Sequence, residues 1–194
     1  ILAWFAFVPL LFAIRNKSKG KAFLFSYLTG IIFWLGIIYW LVHVTLPGMA
    51  VLVLYLALYF GIFGLIISAV SCQLSVDSLF FVPSTWVLLE YLRSHLFTGF
   101  PWALLGYSQY LNLPVIQIAD ITGVWGVSFL VMMVNVAIYK VIGHRLWAIG
   151  KKSQNMTMPF FKHILLPIFL LSLFLIYGYY KLNLSAITYH LSPI

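Results

Sequence analysis

Six apolar stretches, separated by short polar or basic intervals, organise the chain. They run over Ile1–Ile14, Ala22–Val44, Met49–Ser71, Leu79–Leu96, Ile121–Tyr139 and Phe160–Tyr180. About 30 Å of hydrocarbon takes roughly 20 residues of α-helix, so the last five reach across a bilayer with modest adjustment. The first is too short by itself. The continuous run AVLVLYLALYFGIFGLII at 50–67 shows none of the alternation a β-barrel needs. Open strands would leave backbone groups unpaired in lipid. The pattern therefore predicts an all-α polytopic membrane protein, a bundle of about six transmembrane segments.

The intervals orient the bundle. Arg15, Lys17, Lys19 and Lys21 fill the first, and Lys140, Arg145, Lys151, Lys152 and Lys162 surround the fifth. Nine of the 11 basic residues thus fall on one side, while Lys181 stands opposite and Arg93 lies within the fourth segment. Membrane proteins keep Lys and Arg in cytoplasmic loops. The basic loops are expected in the cytoplasm, and the 97–120 interval outside. Its apolar PWALLG stretch suits an interfacial or re-entrant loop.

Composition removes the soluble classes. With 64% hydrophobic and 7% charged residues, the chain cannot cover a soluble surface. The net charge of +8 would point to nucleic acid in a soluble domain. Here the bases are grouped by loop and the aromatics lie in apolar segments, so no nucleic-acid partner is expected. The single cysteine, Cys72, can make neither an internal disulfide nor a cysteine-based zinc site, and reads as a small apolar residue near a helix end. The five histidines are scattered, so neither metal nor cofactor is expected. Ile1 opens in mid-segment with no basic n-region or cleavage site, which reads as the interior of a longer segment and not a signal peptide.

Candidate chemistry gathers around the fourth segment. Glu90 and Arg93, three residues apart, share a helix face. Charges inside a membrane segment are costly and tend to pair or line a polar cavity. Three readings stay open: an ion pair that keeps the helix packed, a support for a lipid or the following loop, and proton transfer. His95, about a turn beyond Glu90, suits the interface. In the loop, Gly99 and Pro101 shape the backbone around Phe100. Trp102, Tyr107 and Tyr110 suit the headgroup layer, and Ser108 and Gln109 add hydrogen-bonding groups. Gly61, Gly64, Gly123 and Gly126, with Ser128, are small residues that permit close helix packing.

The stretch WVLLEYLRSHLFTGFPWALLGYSQ at 86–109 resembles bacterial apolipoprotein N-acyltransferase. The family pattern is a helix carrying Glu-x-x-Arg, matched by Glu90 and Arg93. A loop matched by Thr98, Gly99, Phe100, Pro101 and Trp102 follows, then a turn matched by Gly106, Tyr107, Ser108 and Gln109. LAWFAFVPLLFAI, the stretch from Gly30, and Asp120–Leu130 with Asn135 resemble the family's second, third and sixth helices.

The resemblance implies a partial membrane domain over 1–194, equivalent to family helices two to seven. A nitrilase-like catalytic domain is expected after 194. It implies an inner-membrane enzyme of lipoprotein maturation, with a phospholipid as acyl donor, a diacylated apolipoprotein as acceptor, and membrane lipids around it. The family's Glu-Lys-Cys triad belongs to that other domain, so no catalytic residue is expected in this chain. The charged pair alone would also permit a small transporter or channel subunit, and a purely structural membrane subunit is a third class; the Thr98–Gln109 match favours the enzyme over both.

Overall fold

Long, largely apolar runs set the two longest helices of the first half of the chain. In the computed structural model, residues 2–70, 78–97, 99–151 and 158–191 are described, as backbone alone at 145–151, 158–164 and 185–191. Seven α-helices and no strand occur among the described residues. They are α1 (Val8–Ile14), α2 (Lys19–Ile38), α3 (Leu46–Ala69), α4 (Ser78–His95), α5 (Leu113–Ile116), α6 (Ala119–Lys151) and α7 (Met158–Leu191). The chain is a polytopic membrane bundle. Its helices long and apolar enough to cross a membrane are Lys19–His43, Leu46–Ala69, Ala119–His144 and Leu165–Leu184. The 18-residue α4, read from the sequence as a further crossing, falls outside that group because its polar residues dilute its apolar run.

The first apolar stretch is not one helix. A 3-10 turn at Leu2–Trp4 precedes α1, which begins at Val8–Pro9. The gap leaves backbone groups without helical partners. Asn135, fully buried on α6, supplies them: its side chain accepts from Phe7 N–H at 2.9 Å and donates to Ala3 O at 2.8 Å. Irregular backbone is tolerated inside an apolar bundle only where such groups are satisfied.

Pairing of α2 with α3 relies on close approach. Ala22, Ser26, Gly30 and Trp34 form the buried stripe of α2. A Cβ on Gly30 would meet Phe60 at 2.8 Å, one on Gly61 the Phe23 ring at 2.6 Å, and one on Gly64 the Ala22 carbonyl oxygen at 2.7 Å. Gly61 and Gly64 both lie at this α2–α3 contact. Thr45 caps α3, accepting from Gly48 N–H at 3.3 Å, with proline in the first turn.

An aromatic cluster joins these helices to α1 and α4. The Trp86 ring lies 4.4 Å from Phe7, 4.9 Å from Phe60 and 5.3 Å from Phe63. α6 adds Val127, Leu130, Val131, Met132 and Met133 to the core. α6 breaks at Gly123, whose φ of 64° no β-carbon residue adopts easily. The sequence reading treats Gly123 and Gly126 as helix-packing residues. Gly123 is the point where α6 breaks, and the three atoms nearest a Cβ at Gly126 belong to Thr122 of its own helix. α7 exposes Leu165, Ile168, Phe169 and Ile176, as a lipid-facing helix does, and is tied at its far end by Asp120. That carboxylate accepts from Tyr177 at 2.8 Å and pairs with Lys181 at 2.6 Å.

Candidate functional site

Glu90 and Arg93 end up 2% and 4% exposed, on the last turns of α4. Buried charges at a helix end need partners, and the loop that follows supplies them from its backbone. Glu90 Oε1 accepts from Leu105 N–H at 2.7 Å. Arg93 Nη1 donates to Trp102 O at 2.8 Å. The Arg93 guanidinium also lies over the Trp34 ring of α2, 4.8 Å from its centroid, a cation–π contact. Among the described residues the ion pair is Lys181–Asp120, and Glu90 and Arg93 do not form one with each other. Each of the two side chains instead makes a hydrogen bond to the backbone of the following loop.

The same loop is fixed at its other points. Gly99 N–H donates to Leu96 O at 3.0 Å and Phe100 N–H to Arg93 O at 2.9 Å. Gly106 N–H donates to Ser128 Oγ of α6 at 2.8 Å. A Cβ on Gly106 would stand 2.7 Å from Val124 O, so only glycine lets the turn reach α6. The backbone is strained between these anchors. Phe97 and Ala103 have φ of 55° and 53°, and Gly99 has 70°. Positive φ at two β-carbon residues persists only where surrounding contacts over-determine it.

The sequence-predicted loop residues divide by exposure. Phe100 packs edge-on against Trp34 at 5.6 Å and lies 5.3 Å from Trp102, which is itself 6.3 Å from Trp40. Trp102, Tyr107, Tyr110 and Phe97 are exposed, and Pro101 with them. Ser108 donates to Leu105 O at 2.6 Å and accepts from the buried Gln109 at 2.9 Å. His95 is exposed, stacked on Tyr91 at 4.2 Å. Thr98 and Cys72 lie outside the described residues.

Sequence reasoning missed Ala103, an ordinary residue whose left-handed backbone no composition signal reveals. Ser128 was read as a small packing residue, whereas it accepts the Gly106 amide. Trp34 and Trp86, read only as apolar, both face the charged pair: they line one cavity with Glu90 and Arg93. Beside the loop, an open groove of about 580 Å³ is lined by Leu41, Pro47, Val51, Leu52 and Tyr55. Tyr55 carries it to the loop's start, 5.9 Å from the Phe97 ring.

The family profile described as apolipoprotein N-acyltransferase N-terminal domain matches residues 1–137. The chain belongs to the apolipoprotein N-acyltransferase family. The match takes in α1 to α5, the pinned loop, Ser128 and Asn135. Among similar proteins named apolipoprotein N-acyltransferase, that of Geobacter metallireducens is 39% identical over 193 residues, 94% of this chain and 36% of the relative. That of Pasteurella multocida is 33% identical over 72% of this chain and 28% of the relative. That of Rickettsia prowazekii is 32% identical over 73% of the chain and 30% of the relative. The chain thus spans about a third of the length of these apolipoprotein N-acyltransferases.

Proposed function

We propose that this chain is the membrane portion of an apolipoprotein N-acyltransferase, equivalent to family helices two to seven, and that it anchors the enzyme and gives lipid substrates access to the reacting groups. The reaction is transfer of an acyl chain from a phospholipid to the free amine of the diacylglyceryl cysteine at an apolipoprotein's N-terminus. A thiol in the nitrilase-like domain, activated by Glu and Lys, takes the acyl chain as a thioester and releases a lysophospholipid. The amine then attacks the thioester, forming the amide and freeing the thiol. Within this chain no residue has a catalytic part.

The observation that carries the reading is the loop at 99–109, held by its backbone from two buried charges inside a segment with the family's motif. A loop built only to connect helices needs no such anchors. The adjoining groove supports the access role. Its apolar lining suits an acyl chain, for which each buried methylene contributes about 0.8 kcal/mol. Phe97, next to the groove, and Trp102, Tyr107 and Tyr110 further along the loop are exposed and suit headgroup depth. A transporter would aim Glu90 and Arg93 at a conduction path, whereas both spend hydrogen bonds on the loop.

The resemblance to the family supports a place in the bacterial inner membrane, and the charge of the intervals supports Lys17 and Lys151 in the cytoplasm with the loop outside. Impermeant thiol labelling of single cysteines in intact cells tests this: label at a Tyr110→Cys variant and none at Lys151→Cys is expected, and the reverse overturns the orientation. The functional test is acyl transfer from phospholipid to a diacylated lipopeptide. This 194-residue chain alone is expected to stay at the lipid-only background, and joined to a nitrilase-like domain it is expected to turn over. Turnover by the chain alone would refute the division of labour.

A further inference from the structure

Glu90 holds the loop with one carboxylate oxygen only. Its other oxygen, Oε2, is buried without a hydrogen bond of good geometry to the protein, and so are the indole Nε1 atoms of Trp34 and Trp86, although the Trp86 indole and the Ser128 hydroxyl lie near the carboxylate. The three residues come from two helices, Trp34 from α2 and the others from α4, yet all line one narrow cavity of about 10 Å³. The rest of its wall is mainly apolar, including Leu56, Phe60 and Leu89. One acceptor and two donors left over in a greasy wall are a costly arrangement unless something between them completes all three.

The chemistry of that something is narrow. An anion would face the Glu90 carboxylate. A cation would face two N–H dipoles and the neighbouring Arg93. An organic ligand does not fit a space large enough for only one water. A water molecule offers two lone pairs to the indole donors and a hydrogen to Oε2, and such a space holds one.

We propose that this cavity is the binding site of a single structural water that accepts from Trp34 and Trp86 and donates to Glu90 Oε2. The water ties α2 to α4 behind the loop. With Oε2 held, the carboxylate plane is fixed and Oε1 stays aimed at the Leu105 amide. The two tryptophans are then positioning residues for the loop, acting through the water and the carboxylate.

The test begins with the unmodified intact protein in lipid nanodiscs, at a resolution that shows ordered water. One density peak within hydrogen-bond distance of all three atoms is expected. A dry cavity, with Trp86 Nε1 bonded straight to Oε2, overturns the proposal. Hydrogen exchange at the Leu105 amide is the second readout. Trp34→Phe and Trp86→Phe should each speed it about tenfold, and the double variant should be no faster than either, because one water is lost in every case. Independent effects that multiply in the double variant, or no effect of Trp34→Phe, would contradict a shared water.

Discussion

The α2–α3 pair and the α4–loop–α6 corner of this bundle hold together by opposite means. Between α2 and α3 close packing dominates: Gly30, Gly61 and Gly64 let side chains and backbone of the partner approach, with an exposed Tyr27 hydroxyl donating to Leu54 O at 3.3 Å beside them. At the corner, helix gives way to strained loop, and a carboxylate, a guanidinium and a hydroxyl each take one backbone group in hand. The difference follows from the solvent. Lipid offers helices no hydrophobic drive to associate, so close packing does the work where backbone is already satisfied. Where backbone leaves the helix, its polar groups must find partners within the protein. Buried charge here is a means of holding irregular backbone.

The comparison breaks most visibly at Glu90. Glu90→Ala leaves the Leu105 amide unpaired and opens a cavity beside Arg93, and should cost about 3 kcal/mol of stability. Glu90→Gln keeps an acceptor at Oε1 and should cost about 1 kcal/mol. Thermal unfolding in lipid nanodiscs, with folded protein quantified, checks both. Equal losses would mean that charge, and not the hydrogen bond to the loop, is what matters. Acyl-transfer activity per folded protein should fall with the loop's order, and alike for all phospholipid headgroups.

The packed pair answers to volume instead. Gly64→Leu drives a side chain into Ala22 and Ser26 and should cost about 2 kcal/mol through overpacking. Crosslinking between cysteines placed on α2 and α3 should weaken, while exchange at Leu105 stays as it was. A loop disturbed as much as the helix pair would erase the distinction between the two regions.

Backbone strain gives the smaller effects. Gly99→Ala meets a φ of 70° and the Ser94 carbonyl, for a loss of about 1–2 kcal/mol. Ala103→Gly relieves a φ of 53° at the cost of chain entropy, for a net gain of about 0.5 kcal/mol. The same unfolding measurement reads both, and opposite signs at the two positions are the expected outcome.

How much of this was legible in the sequence depended on whether side chains or backbone carried the information. The apolar runs at 22–44 and 49–71 announced α2 and α3, because lipid demands continuous apolar helix. Glu90 and Arg93 stood out for the converse reason, since charge within such a run is expensive. Their partners did not stand out. Leu105 and Trp102 contribute an amide and a carbonyl, which every residue but proline possesses, so the sequence left pairing and loop support undecided. Asn135 was noticed only through family resemblance. That it completes the backbone around Phe7, 128 residues away, follows from packing alone. Gly123 carried a signal with two meanings, close packing or positive φ, and only the backbone distinguishes them.

The central claim is that buried charge at the end of α4 holds the 99–106 loop by its backbone, and it is read most directly by amide hydrogen exchange in the intact protein, comparing Glu90→Ala with the unmodified chain. Exchange at Leu105 should rise by about 100-fold, the equivalent of roughly 3 kcal/mol, while amides of α3 keep their protection. Unchanged exchange at Leu105 in a folded Glu90→Ala protein would contradict the account.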